Sequence, residues 1–164
     1  MERSALVPAP EWQVGQWFNS DHPLVLADLR GRVVALHAFQ MLCPGCVQQG
    51  LPQAARIARL FAPSQVAVVG LHTVFEHHDA MTPVALAAFI HEYRLTFPIG
   101  VDLPGNDGPI PRTMAAYGMQ GTPTLILIDR QGRLRKQSFG VEDDMRVGSD
   151  IAFLLAEREQ SDGP

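Results

Sequence analysis

Cysteine is scarce in this chain: Cys43 and Cys46 are the only two among 164 residues. Lysine is scarcer still, with Lys136 alone, and the remaining basic residues are arginines scattered along the sequence. Thirteen Lys and Arg stand against 17 Asp and Glu, a formal net charge of −4. Binding nucleic-acid phosphates needs clustered cations, so no nucleic-acid partner is expected. No apolar run approaches the ~20 residues that cross a bilayer, so no membrane span is expected either. The opening stretch "MERSALVPAPEWQVGQWF" has no apolar h-region and carries Pro8, Pro10 and Glu11, unlike a secretory signal. The expected location is the cytoplasm. Internal repeats and low-complexity linkers are missing too, which leaves one domain with a substantial core.

What is present begins with "MLCPGCVQQ", residues 41–49, where the two cysteines are separated by Pro44 and Gly45. In a reducing compartment a lone close-spaced pair suits catalysis or metal binding better than a structural staple. A disulfide across so short a loop would also remove little entropy from the unfolded chain.

The flanking pattern places this pair. Residues 1–13 read as an N-terminal arm, 14–159 as the folded domain and 160–164 as a polar tail. The first twenty or so residues, rich in proline and aromatics, read as irregular. "PLVLADLRGR" suggests a short strand and a turn at Gly31. "VVALHAFQ" (33–40) is a β-branched and apolar run, the mark of a buried central strand. Helical spacing follows through Leu51, Ala54, Ala55, Ala58 and Leu60, with Pro52 either kinking the helix or beginning its regular part. "QVAVVGLHTV" (65–74) is a second buried strand. Thr82 and Pro83 suit the N-cap and first turn of a helix over "VALAAFIHEYRL".

A third strand is expected over 96–102, a loop over "LPGNDGPIPR", a short helix at "TMAAYGM" and a strand at "GTPTLILID" (121–129). "DRQG" is a hairpin turn, and "RLRKQSFG" alternates like an edge strand. A final helix runs from about Asp144 to Glu159, with Met145, Ile151, Leu154 and Leu155 facing inward. Strand–helix alternation followed by a hairpin predicts a mixed sheet covered by helices on both faces.

Cys43 then falls at a strand-to-helix junction, on the helix cap, and Cys46 in the first turn. Unpaired N–H groups and the helix dipole favour a thiolate there. An exposed Cys43 and a shielded Cys46 suit a two-step exchange: Cys43 attacks a disulfide, and Cys46 resolves the mixed disulfide. The motif alone leaves a metal site open.

With Gly121-Thr122-Pro123-Thr124 before a buried strand some eighty residues later, the sequence resembles the thioredoxin-like superfamily. The matching pieces are "VVALHAF", "CPGC", the helix with Pro52, "GTPT" and "LILIDRQGRL", spanning roughly residues 14 to 155. "DLRGRVVAL" and the insertion after the 66–74 strand resemble its redoxin or TlpA-like branch. The chain is also similar to the thioredoxin domain preceding NHL repeats in some multidomain proteins. The resemblance implies a thioredoxin-like α/β fold, Cys43 as attacking thiol, Cys46 as resolving thiol and Pro123 as a cis-proline facing them. Peptide groups around Thr122, with Pro44 and Gly45, would contact an extended substrate, and the cis-proline loop would keep metal ligands off the thiols. No organic cofactor is implied, because the Cys43–Cys46 couple carries both electrons. The implied partners are a disulfide-containing protein or small molecule and an upstream thiol reductant, in an antioxidant role within cell redox homeostasis.

The family pattern is broken in places. Leu42 replaces the Trp that often precedes the first cysteine, Pro44 and Gly45 invert the Gly-Pro of reductive thioredoxins, and the helix proline lies one position late. His37 stands six residues before Cys43, where many thioredoxins carry a buried Asp that receives a proton from the resolving thiol. An unperturbed pKa near ~6.5 would suit His37 to that role, with a hydrogen-bonded core histidine as the alternative. Glu76 is a candidate proton relay or substrate contact within "LHTVFEHHD", whose His72, His77 and His78 raise the question of a copper or zinc site with the cysteines. A polar rim without metal is the expected reading. His22 and His91 read as surface residues, and Trp12, Trp17 and Phe18 as a hydrophobic arm packed on the sheet.

The expected function is thiol-disulfide oxidoreduction. A peroxiredoxin-type thiol peroxidase is the alternative, but its Pro-x-x-x-Thr-x-x-Cys pattern meets Leu36 and Gln40 here, so the peroxide-holding hydroxyl is missing. A Cys/His metal module is the third reading.

Overall fold

A computed structural model describes residues 6–158. Its centre is a six-stranded mixed sheet in the order β1-β4-β3-β2-β5-β6. The strands are β1 (Val14–Phe18), β2 (Val33–Phe39), β3 (Val66–His72), β4 (Ile99–Asp102), β5 (Thr124–Ile128) and β6 (Leu134–Phe139). β2, β3 and β4 run parallel, while β5, β6 and β1 are antiparallel to their neighbours. Every residue of β2 and β3 is buried, as continuous apolar runs in a sheet covered on both faces require.

Side chains alternate between the faces of a strand. Val33, Ala35 and Phe39 of β2 meet Leu51, Ala54 and Ile57 of α1 (Leu51–Leu60), Leu86 and Ile90 of α2 (Pro83–Glu92), and Val147, Ile151 and Leu154 of α4 (Asp144–Ala156). Val34, Leu36 and Ala38 meet Met114 and Tyr117 of α3 (Arg112–Tyr117) and the leucines of a short 3-10 turn, Leu26–Leu29. The result is a single-domain thioredoxin-like fold with helices on both faces. Among the described residues, no helix is long and apolar enough to cross a membrane.

The turn signals act where the sequence puts them. Thr82 Oγ1 accepts the Ala85 N–H at 3.2 Å, and Pro83 opens α2. Gly132 closes the β5–β6 hairpin at φ +81°, its N–H bonded to Asp129 O. Pro52 begins the regular helix: a π turn, Cys46–Gly50, precedes α1 and absorbs the N–H that proline lacks.

Three expectations need correction. Residues 23–32 form no strand, because Leu26 and Leu29 are spaced for a 3-10 turn that buries both. Part of the expected irregular arm is strand β1, paired with β4. Gly100 makes that pairing possible: a Cβ there would lie 2.9 Å from Val14 Cγ1 and 3.1 Å from Trp17. Met145 is 83% exposed and does not face inward, because the buried stripe of α4 starts two residues later at Val147. Upstream of β1 the arm crosses the sheet end, with Ala9 N–H on Gly132 O and Tyr117 Oη donating to Pro10 O at 2.6 Å. Trp12 and Trp17 pack partly buried against the α3 side, and Phe18 against the other. The expected 160–164 tail and Glu159 lie outside the described residues.

Candidate active site

β2 is the central strand, and the helix that follows it starts at its C-terminal edge. Cys43 stands at that junction. Its N–H is held by Gln40 O at 3.0 Å, and its carbonyl accepts the Val47 N–H at 3.1 Å, beginning the helical turn. Cys43 Sγ accepts the Cys46 N–H at 3.4 Å and lies 3.5 Å from Thr122 O, to which its S–H can donate. Cys43 is half-buried and Cys46 fully buried, and both are free thiols. Burial, reinforced by the Cys43 side chain, pushes the Cys46 thiol up to about 12.

The Thr122–Pro123 peptide is cis. The Pro123 ring lies against the turn that carries the cysteines: a Cβ on Gly45 would come within 3.4 Å of Pro123 Cδ, and one on Gly50 within 3.1 Å of Pro123 Cβ. Glycine at both positions lets the ring approach. On the outer side, Gly140 N–H holds Pro123 O at 2.8 Å, and Phe139 packs over Gly121.

Beside Cys43 opens a cavity of about 290 Å³ lined by Gln40, Leu42, Pro44, Phe75, Glu76 and Thr122, among others. Pro44, Gly45, Thr122, Pro123 and Glu76 are therefore gathered around Cys43, with Glu76 exposed on the rim.

His37 is in β2, on the face shared by Ala35 and Phe39, the layer that also holds Cys46. It is 4% exposed, and its Nε2 has no hydrogen-bond partner. Burial lowers its pKa to about 4, so the premise of a base titrating near neutrality does not hold in the folded chain. It is also not the hydrogen-bonded core histidine of the alternative. His72 is buried under Phe39, its pKa lowered to about 4 by burial, and its Nε2 accepts the Met41 N–H at 3.2 Å. That bond anchors the start of the cysteine loop. His77 and His78 are exposed, with His78 Nε2 3.2 Å from Pro109 O. Among the described residues, no group of three or more His, Cys, Asp or Glu is placed to hold a metal ion.

Two residues escaped the sequence reading. Gln40 appears there only as a missing hydroxyl, although a polar residue ending a buried strand run is itself a signal of an internal contact. Gly50 carries no local signal, because its role is to leave room for a ring seventy-three positions away.

The sequence model of the AhpC/TSA family matches residues 7–137. This chain belongs to the AhpC/TSA family. Within that family its likeness is to thioredoxin-like redoxins. This AhpC/TSA chain superposes on the crystal structure of thioredoxin-like superfamily protein SPOA0173 with a TM-score of 0.91 and 58% identity, covering 94% of this chain and 99% of that one. A thiol-disulfide isomerase from Corynebacterium glutamicum gives a TM-score of 0.88 at 48% identity, covering 96% and 100%. Thiol-disulfide oxidoreductase ResA of Bacillus thuringiensis (strain Al Hakam) is 28% identical over 116 residues, 70% of this chain and 59% of ResA. The chain thus spans less than two thirds of that curated relative.

Proposed function

We propose that the chain is a thiol-disulfide oxidoreductase that reduces disulfides, chiefly of polypeptides, through Cys43 and Cys46. The observation that carries the reading is the asymmetry of the pair: Cys43 is reachable at the cavity and next to Pro123, while Cys46 is buried with its N–H on Cys43 Sγ. The Cys43 thiolate attacks one substrate sulfur, forming a mixed disulfide and releasing the first substrate thiolate. Cys46 then attacks Cys43 Sγ, breaking the mixed disulfide and releasing the second. Two electrons leave the dithiol, which becomes the Cys43–Cys46 disulfide, and an upstream thiol reductant restores it. The exposure of Leu42 (57%) and Phe139 (55%) on either side of Cys43 favours polypeptide over small-molecule substrates, since both offer apolar surface to a docking chain. Pro44, Gly45, Thr122 and Glu76 are the proposed contacts.

The resolving step needs a proton acceptor, and magnitudes limit how His37 can serve. Moving a proton from a thiol near 12 to an imidazole near 4 costs about 11 kcal/mol, so a thiolate formed beforehand on Cys46 is too rare to resolve the intermediate. A reducing, cytoplasmic setting completes the proposal, and fractionation of cells checks it.

Thiol trapping tests the reading. Cys46→Ser should accumulate a mixed disulfide with a polypeptide substrate, and Cys43→Ser should form none. Equal trapping by both variants would refute the division of roles.

A further inference from the structure

Gln40 directly follows β2 and is 1% exposed, so its carboxamide depends on partners supplied by the protein. It finds them on two separate loops. Oε1 accepts the Phe75 N–H at 3.2 Å in the segment after β3, and Nε2 donates to Thr122 Oγ1 at 3.5 Å in the loop before β5. Chemistry fixes the amide's orientation: a backbone N–H can only donate, so the oxygen faces Phe75 and the nitrogen faces the Thr122 hydroxyl. The main-chain carbonyl of Gln40 meanwhile holds the Cys43 N–H.

One residue therefore bonds all three segments that surround Cys43. The cavity beside Cys43 has Phe75, Glu76 and Met81 on one wall and Thr122 on the other, with Gln40 between them. Among the described residues, no other side chain hydrogen-bonds both walls.

We infer that Gln40 is a positioning residue for polypeptide substrates: it sets the separation between the Phe75–Met81 wall and the Thr122 loop across which an extended chain presents its sulfur to Cys43. This inference rests on the oxidoreductase reading above. A polypeptide contacts both walls, whereas a small disulfide needs little beyond Cys43, so loosening the walls penalises the first more than the second.

The test compares wild type and Gln40→Leu on insulin and on the small disulfide dithiobis-nitrobenzoate, with dithiothreitol as electron donor. Leucine keeps most of the volume and removes both side-chain bonds. The ratio of kcat/KM for insulin to that for the small disulfide should fall about tenfold, carried by KM, as expected for one or two net hydrogen bonds. Gln40→Glu should recover most of the insulin KM, because its carboxylate can accept from both the Phe75 N–H and the Thr122 hydroxyl. Parallel loss on both disulfides, or an unchanged ratio, would overturn the inference. Should Gln40→Leu fail to fold, Thr122→Val removes the same bridge from the other side, and an unchanged ratio there overturns it equally. Wild type inactive on both disulfides would instead defeat the oxidoreductase reading itself, before any variant is compared.

Discussion

Acidification should destabilise this fold earlier than its carboxylates alone would, because two buried histidines are neutral. His37 and His72 have folded pKa values near 4, against about 6.5 in the unfolded chain. Below pH 6.5 the unfolded state takes up protons that the folded state refuses, so stability is complete above that pH and is lost as pH falls toward 4. Each shift, integrated to pH 4, corresponds to about 3 kcal/mol, and at pH 5 to about 2. Together the two histidines should remove about 4 kcal/mol between neutrality and pH 5, a large part of the ~5–15 kcal/mol typical of a domain. The carboxylates held low by ion pairs, Asp129, Asp144 and Glu157, begin to contribute only below their unfolded values, beneath this window. Urea unfolding of reduced protein at about pH 7.5 and about pH 5 measures the loss. His37→Leu should lose about half as much as wild type. Equal losses in wild type and His37→Leu would refute the reasoning, since His37 would then not be a buried neutral group.

Two further predictions concern packing. Gly50→Ala adds a helix-favouring methyl but brings it to 3.1 Å from Pro123 Cβ, a ring that cannot rotate aside. Thermal stability should change by less than about 1 kcal/mol, the helix gain offsetting the contact, while the rate of insulin reduction falls. An unchanged rate would show that the ring position does not matter. Asp102, 5% exposed, accepts the Thr113 and Met114 N–H groups at 2.8 and 3.0 Å and the Thr73 hydroxyl at 3.0 Å, tying the start of α3 to the end of β3. Asp102→Ala should cost about 3 kcal/mol or more in urea unfolding, because it strands these donors in the interior, and a cost below about 1 would contradict that bookkeeping.

Much of this architecture was legible from local chemistry. β2 and β3 are unbroken apolar runs, Thr82-Pro83 announces α2, and the hairpin follows from Asp129 to Gly132. What stayed hidden depends on distant partners. β1 has no alternating pattern and forms because Gly100, on another strand, leaves room for Val14 and Trp17. The Leu26–Leu29 turn looks like a strand until its two leucines are seen to share one side of the core. At the site, the cysteine spacing and the Thr122-Pro123 loop could be read directly. The titration of His37 could not, because burial decides it, nor could the Gln40 bridge, whose two partners lie 35 and 82 positions away.

The central claim is that Cys43 and Cys46 exchange two electrons as a couple. A glutathione redox titration scored by thiol alkylation tests it most directly. The account predicts one reversible two-electron transition that Cys46→Ser abolishes, with a midpoint nearer the reducing value of about −270 mV than the oxidising value of about −120 mV. Protein that never forms an internal disulfide at any glutathione ratio would contradict it.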